Sequence, residues 1–468
     1  MDGIRRLRDL VGALAWARHL GKHDRWPRGR VLRYQQQALA KIVRHAARHT
    51  PFYAQLYEGI DLSGDVDLPS LPITGKKLLM ENFSEAVADS RLTLDSVKEH
   101  VGAMEGDEYL FGQYRAVGTT GTSGLRGYFV FDRTAWRIVL ANTLRWQRMI
   151  GISPRLPFRV RIATIGADTP MHVTDRIPRS GNVGLFKMRH FQATSPLSRI
   201  GEGLQEFAPE VILTYPSIGG LLAEEQLAGR LSLGPKVIST HSELLTDEMR
   251  ARMREGWGVE PFDHYGTTEE PHVGADCAEH QGLHVFEDTT VMEVVDEENQ
   301  PVPDGTPGAK WLLTNLYNYA QPIIRYEITD ILTRELEPCA CGRPFARVRS
   351  IGGRAEDVLR LPRADGAGEV PIAPLAIEVT IVNFAEVWEY TVRHGPDGVK
   401  ATVVPRQGAK GQGLRAKIEA ALKDMIREAG AVVPPVEVVI ADRLPRRPEE
   451  MGKVRPVGRQ TQPSGSQE

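Results

Sequence analysis

Cysteine is the scarcest resource in this sequence, with three residues in 468. So few thiols exclude a disulfide framework and suit a reducing compartment, so the expected location is cytoplasmic. Long apolar runs are also missing: no stretch approaches the roughly 18 to 20 residues needed to cross a bilayer. The first apolar patch, Val11 to Trp16, is flanked by Arg5, Arg6, Arg8, Asp9 and Arg18, which makes a poor secretory signal. Nor does one sign of charge dominate, since 58 Lys and Arg meet 60 Asp and Glu for a net charge of -2. That balance points to neither a nucleic-acid nor a membrane partner. What remains, 41% hydrophobic and 25% charged residues, excludes a disordered chain. The length exceeds what one core organises, so two or three domains are expected.

Residues 1–50 hold twelve Lys and Arg against three Asp. Leu39, Ile42, Val43, Ala46 and Ala47 recur there at helical spacing up to Pro51, so the basic residues read as the wet face of an amphipathic helix. From about 158 to 265, apolar runs at Phe158 to Ile165, Val211 to Thr214 and Val237 to Thr240 alternate with helix-like stretches such as Leu245 to Trp257. This pattern predicts an α/β domain with a mostly parallel sheet wrapped by helices, covering residues 1–352. After Gly352 and Gly353 the text changes. Val387 to Arg393, a Gly395-Pro396-Asp397-Gly398 turn and Val399 to Val404 predict a hairpin, followed by a helix with Leu414, Ile418, Leu422, Met425 and Ile426 on one side. Gly430 ends that helix and Val436 to Ile440 forms a strand, so residues 353–456 are expected to make a small α+β domain. Residues 457–468, rich in Gln, Ser and Gly, lack an apolar partner and are expected to be disordered.

Thr119-Thr120-Gly121-Thr122-Ser123-Gly124-Leu125-Arg126-Gly127 places four hydroxyls and three glycines in nine residues, just before the apolar run Tyr128 to Phe131. Glycine lets the main chain approach closely and hydroxyls donate, so such a loop can wrap phosphate oxygens; it can equally be a plain turn. It is not a Walker A loop, because a strand rather than a helix follows. His264-Tyr265-Gly266-Thr267-Thr268-Glu269-Glu270 joins a tight glycine turn to a hydroxyl beside a carboxylate, suited to a phosphate oxygen and its Mg²⁺, with Glu269 as the metal candidate. The alternative is a helix N-terminus capped by Thr268. Asp330 could accept from a ribose diol or sit in a surface turn, and Arg354 could be a matching donor. Lys453, alone near the end, would ordinarily be a solvated side chain.

Together these segments resemble the adenylate-forming superfamily (acyl-CoA synthetases, adenylation domains, luciferases), within it the phenylacetate-CoA ligase branch, from roughly residue 35 to 456. Residues 119–127 look like its phosphate loop, and Tyr265 to Glu269 match Y-G-x-T-E. Gly282-Leu283-His284-Val285-Phe286-Glu287-Asp288 is similar to G-x-H-x-x-E-D. Thr314-Asn315-Leu316, Pro322 to Tyr326 and Asp330 resemble the T-N-L and P-[LI]-I-R-Y-x-x-x-D block. Gly353 to Asp357 look like the G-R-x-D-D hinge, and Gly452-Lys453 the terminal G-K. The resemblance implies a small-molecule carboxylic acid activated by ATP and Mg²⁺ to an acyl adenylate, rotation of the small domain, and transfer to coenzyme A. It also implies roles. Thr119, Thr120, Gly121, Thr122, Ser123 and Gly124 would hold the β- and γ-phosphates, Thr268 the α-phosphate and Glu269 the Mg²⁺. Tyr265 and Gly266 belong to the same nucleotide motif. Asp330 and Arg354 would hold the ribose, Glu243 would lie beside adenine, and Lys453 would bridge carboxylate and α-phosphate. Departures are Leu125-Arg126-Gly127 where the branch usually has a Lys-Pro pair, Glu327 for Arg, Thr329 for Gly and Glu356 for Asp. They leave open transfer to an amine, another small nucleophile or a carrier protein, and, outside catalysis, a degenerate nucleotide-binding scaffold.

Cys277, His280, Cys339 and Cys341 use every cysteine. Three thiolates and an imidazole suit a closed structural Zn²⁺; buried thiols beside a surface histidine are the alternative. His284, in an apolar run, reads as a satisfied strand histidine. The acid is expected near Trp136, Tyr215, Ser217, His241 and Ser242, whose aromatic and small side chains suit an aryl or arylacetic acid, although each could equally be core. A second copy of the chain is a further partner the sequence leaves open.

Overall fold

Alternating apolar runs and amphipathic helices build two lobes, each around its own core. The computed structural model describes residues 2–119, 125–155, 157–166, 169–182, 184–193, 195–243, 245, 247–352, 359–366, 368–372, 374–395, 398–405, 413–442, 444 and 457–459. The helices Asp2–His23 and Arg28–His49 open the chain. In the second, Leu39, Ile42, Val43 and Ala46 are buried, and the helix ends before Pro51 as the spacing predicts.

A hairpin follows, β1 (Arg115–Gly118) antiparallel to β2 (Tyr128–Phe131). The helix Arg133–Met149 starts where the Asp132 carboxylate accepts the Ala135 N–H at 2.7 Å. The central sheet comes next, with β3 (Arg161–Gly166), β4 (Lys187–Gln192), β5 (Val211–Thr214), β6 (Val237–His241), β7 (Phe262–Tyr265), β8 (Gly274–Ala275) and β9 (Leu283–Val285). A three-stranded antiparallel sheet is formed by β10 (Thr290–Val295), β11 (Lys310–Asn315) and β12 (Tyr326–Ile328). The chain then returns to the central sheet through β13 (Ile331–Glu335) and β14 (Arg347–Gly352). Its nine strands run β13-β14-β9-β8-β7-β6-β5-β3-β4. β4, β3, β5, β6 and β7 pair in parallel, and the other four are antiparallel. β3 has β4 on one side and β5 on the other, so the crossovers reverse direction there. Beyond the carboxyl ends of such strands a crevice opens where ligands bind.

The small lobe contains β15 (Leu359–Pro362) with β16 (Glu369–Ile372), and a sheet ordered β19-β18-β17-β20. Its strands are β17 (Val387–Gly395), β18 (Gly398–Pro405), β19 (Val436–Ile440) and β20 (Val457–Arg459). Leu414, Ile418, Leu422 and Ile426 of the helix Leu414–Glu428 pack into a core with Tyr390, Val392, Val403 and Val438, separate from that of the large lobe. The expected disordered tail therefore begins too early. Val457, 1% exposed, pairs with Val392 in the parallel ladder β17–β20, and its apolar side chain completes the small core. The lobes meet where Arg360 of β15 donates to both carboxylate oxygens of Glu224 at 2.9 and 3.2 Å. Among the described residues no helix is long and apolar enough to cross a membrane.

Candidate active site

The segment after β7 reverses within six residues. Thr267 N–H donates to the Glu270 carbonyl at 2.8 Å, Glu270 N–H to Thr267 Oγ1 at 3.0 Å, and Val273 N–H to the Tyr265 carbonyl at 3.0 Å. A Cβ on Gly266 would fall 2.0 Å from the Pro271 carbonyl oxygen, so only glycine permits the reversal. No helix follows, which removes the capping role considered for Thr268 and leaves Thr268 and Glu269 at the apex of a loop.

Across this loop stands the connection between β12 and β13. The Tyr265 hydroxyl donates to Asp330 at 2.7 Å and accepts from the Trp311 indole at 3.2 Å, so Asp330 is tied to the end of β7 rather than standing in a free surface turn. Burial, and then the Asp330 charge, push the Tyr265 phenol well above its ordinary range. Glu269 is 5% exposed, and its carboxylate, after burial, raises the facing Tyr326 phenol in the same way. Phenols held neutral beside two carboxylates leave local negative charge suited to a cation or a ribose.

The neighbouring Glu270 is fully buried. Asn315 Nδ2 donates to one of its carboxylate oxygens at 2.6 Å and the Tyr317 hydroxyl to the other at 2.8 Å. Burial pushes this carboxyl up to about 8. Below the turn, His264 and His272 share a ring-nitrogen contact of 2.8 Å, and the other His272 nitrogen lies 2.8 Å from Thr143 Oγ1. Burial lowers His272 to about 3, so it is neutral at pH 7.

Of the glycine-rich segment, Thr119 and the stem are described. Thr119 N–H donates to the Gly127 carbonyl at 2.9 Å and Gly127 N–H to Thr119 Oγ1 at 2.8 Å, so Thr119 closes the β1–β2 hairpin. Thr120, Gly121, Thr122, Ser123, Gly124, Arg354, Glu356 and Lys453 lie outside the described residues, as does the side chain of Ser217. At the carboxyl ends of β3, β5 and β6 stand Gly166, Tyr215, His241 and Ser242, with Tyr215 4% exposed and part of the core around β5. The Tyr215 and His241 rings meet edge-on at 5.3 Å, and His241 Nδ1 lies 3.0 Å from Ser242 Oγ. Glu243, partly buried, follows directly. Trp136 is not with them. It is 1% exposed and packs on Phe131 at 5.7 Å in the large core, because the apolar face of its helix turns inward. Glu327, standing where the family commonly has Arg, accepts from Lys310 at 2.7 Å.

The cysteines converge as expected, but with a different histidine. Ligand atoms of Cys277, His284, Cys339 and Cys341 all lie within 4.8 Å of one another. His284 Nε2 is 3.2 Å from Cys341 Sγ, and the Cys277 and Cys339 sulfurs are 3.8 Å apart. His280 turns away, its Nδ1 2.7 Å from the Asp276 carboxylate and its ring against Phe262. The reason is register: Ala275 of β8 pairs with His284 of β9, two residues before Cys277, whereas His280 sits at a left-handed turn with φ 49°. Burial pushes the Cys277 thiol up to about 12, a cost that a cation, if bound there, would offset.

The G-x-H-x-x-E-D segment thus acts as a structural hub. Gly282 has φ 102°, where a Cβ would meet the Val348 carbonyl oxygen at 2.6 Å. Glu287 takes a forked pair from Arg28 and the Ala346 N–H at 2.7 Å. Asp288 binds His23 at 2.7 Å and Arg145 at 2.9 Å.

The large lobe with Glu269 and Asp330 on either side of Tyr265, together with a separate small lobe, has the fold seen in solved adenylate-forming ligases. No protein-family model matches the chain. The sequence is phenylacetate-CoA ligase-like: it is 28% identical to the phenylacetate-coenzyme A ligase of Thermus thermophilus over 439 residues, 89% of this chain and 87% of that one. It is 28% identical to the enzyme of the same name from Aromatoleum evansii over 344 residues, 69% and 70% of the two chains. Among solved structures, 2-hydroxyisobutyryl-CoA ligase with 2-HIB-AMP and CoA in the thioesterification state superposes with a TM-score of 0.63 at 20% identity, covering 94% of this chain and 92% of that one. Its postadenylation state gives 0.60 at 19% identity, over 94% and 91%.

The motifs named Tyr265, Glu269 and Asp330, which the structure brings together. His284, read from the sequence as a strand histidine, joins the three cysteines instead of His280, and nothing was assigned to Glu270, Tyr326 or Trp311, whose contacts depend on facing strands.

Proposed function

We propose that the protein joins a carboxylic acid to coenzyme A at the expense of ATP, through an acyl adenylate. A carboxylate oxygen attacks the α-phosphorus, the bond to the bridging oxygen breaks, and pyrophosphate leaves. The coenzyme A sulfur then attacks the acyl carbon, and AMP departs with the electrons of the acyl–oxygen bond. The observation that carries this reading is the hydrogen bond from Tyr265 to Asp330, residues far apart in sequence that meet beside Glu269 in the order of the family's motifs. The long-range similarity to two phenylacetate-coenzyme A ligases supports it.

In this reading Asp330 accepts from the ribose diol with Arg354, Thr268 holds the α-phosphate, and residues 119–124 hold the outer phosphates. Glu243 flanks adenine. Glu269 would hold Mg²⁺, whose charge would screen the repulsion between the attacking carboxylate and the phosphate. Lys453 brings an ammonium to the carboxylate and α-phosphate, where negative charge accumulates. Residues 353–456 act as the lid that carries it. The acid, aryl or arylacetic, occupies the crevice beside Tyr215 and His241. Cys277, His284, Cys339 and Cys341 hold a structural Zn²⁺, which ties β8 and β9 to the β13–β14 loop. Cysteines that form no disulfide fit a reducing cytoplasm.

The test is pyrophosphate release from a panel of aryl acids, with and without coenzyme A, on wild type and Lys453→Ala. The wild type is expected to release pyrophosphate and to form a thioester only when coenzyme A is present. Lys453→Ala is expected to keep ATP binding and lose adenylation by about 100-fold or more. No release with any acid, or an unaffected variant, overturns the respective claim.

A further inference from the structure

Two consecutive buried glutamates, Glu269 at 5% and Glu270 at 0% exposure, have different neighbours. Glu269 lies against Tyr326 and Tyr265, whereas Glu270 bonds Asn315 and Tyr317. The loop bearing Glu269 leaves the nine-stranded sheet at β7, yet one wall around it, Tyr326 and Trp311, comes from the three-stranded sheet. The Tyr265 hydroxyl, bonded to Trp311 and Asp330, ties the root of the loop to that wall, and a second tie is needed at its far end. The loop's internal bonds, Thr267 to Glu270 and Val273 to Tyr265, set its shape but not its distance from β11 and β12.

Glu270 spans that gap. One carboxylate oxygen receives Asn315 Nδ2 at 2.6 Å, the other the Tyr317 hydroxyl at 2.8 Å. Asn315 is itself locked, its side-chain oxygen accepting Tyr317 N–H at 2.9 Å and Asn318 N–H at 2.8 Å, its N–H donating to the Ile323 carbonyl at 2.9 Å. β11 also pairs with β12, where Leu313 opposes Tyr326, the residue facing Glu269. A bidentate acceptor on the loop and a rigid donor pair on the sheet therefore fix the Glu269 carboxylate relative to Tyr326.

We infer that Glu270 is a positioning residue which, through Asn315 and Tyr317, sets the place of Glu269 for a divalent cation carried by a nucleotide triphosphate. The inference rests on the proposed function for the identity of that ligand. Glutamine preserves the span, since its carbonyl accepts from Asn315 and its amide donates to a tyrosine hydroxyl that turns about its bond. Alanine removes both bonds.

The experiment measures binding of MgATP, and of ATP in EDTA, to the full chain by titration calorimetry for wild type, Glu270→Ala, Glu270→Gln and Tyr317→Phe. Glu270→Ala is expected to weaken MgATP about tenfold or more, as misplacement of a charged ligand requires, with ATP in EDTA changed less than about threefold. Glu270→Gln is expected to return MgATP affinity to within about threefold of wild type, and Tyr317→Phe to weaken it by about threefold. Equal losses in both ligands, no loss in Glu270→Ala, or no rescue by Glu270→Gln overturns the inference. If Glu270→Ala does not fold, Tyr317→Phe decides: a loss confined to MgATP supports the role, and no selective loss refutes it. A wild type that binds MgATP but exchanges pyrophosphate with no acid would sink the proposed function and leave this inference standing.

Discussion

Replacing His284 by alanine should strip the protein of metal, whereas His280→Ala should leave it bound. The four ligand atoms of Cys277, His284, Cys339 and Cys341 lie within 4.8 Å of one another, so each is placed for one bond to a shared ion. A structural zinc contributes an apparent binding free energy of about 10 to 16 kcal/mol, so an even share for each of four ligands is about 2.5 to 4 kcal/mol. At about 1.4 kcal/mol per decade, loss of one ligand weakens binding by roughly two to three orders of magnitude. His280 is engaged with Asp276 at 2.7 Å and touches none of the cluster atoms, so its removal costs no metal bond. Protein purified without chelator should carry about one equivalent of zinc by mass spectrometry. A colorimetric chelator should extract it from His284→Ala at a concentration that leaves His280→Ala loaded. Binding should also release protons, because burial holds the Cys277 thiol at about 12 and the metal takes the thiolate. Loss of zinc in His280→Ala with retention in His284→Ala would refute this assignment, as would a wild type with less than half an equivalent.

Two further expectations concern stability. His272, 2% exposed, has its pKa lowered to about 3 by burial, and burial first, then His272, lowers His264 as well. A base whose folded pKa is depressed contributes stability that is present above its unfolded pKa and lost as pH falls toward the folded one. Unfolding free energy should therefore drop below about pH 6.5, by up to about 1.4 kcal/mol per pH unit for each group. Calorimetry from pH 7 to pH 4.5 on wild type and His272→Gln checks this, and an unchanged slope in the variant counts against it. Trp136→Ala should cost about 3 to 5 kcal/mol by denaturant unfolding with the ranking of acid substrates unaltered. A changed acid ranking at full stability would return Trp136 to the substrate site.

Much of this protein was legible in its sequence where the information is local. The helix up to Pro51, the strands at Val211, Val237 and Val436, and the glycine reversal at Gly266 follow from period, turn chemistry and the space a Cβ needs. Motif spacing also singled out Tyr265, Glu269 and Asp330, of which Tyr265 and Asp330 meet in a hydrogen bond. What a one-dimensional pattern does not contain is which faces meet. Whether His280 or His284 joins three thiols depends on the pairing of β8 with β9, which turns one ring toward the sulfurs and the other toward Asp276. Trp136 reads alike as wall or core until its helix is docked, and Val457 looks like tail until β17 offers it a parallel edge. Glu270 and its neighbour carry the same carboxylate. Only the approach of the β11 segment, with Asn315 and Tyr317 ready to donate, gives Glu270 its two partners, while Glu269 lies against Tyr326.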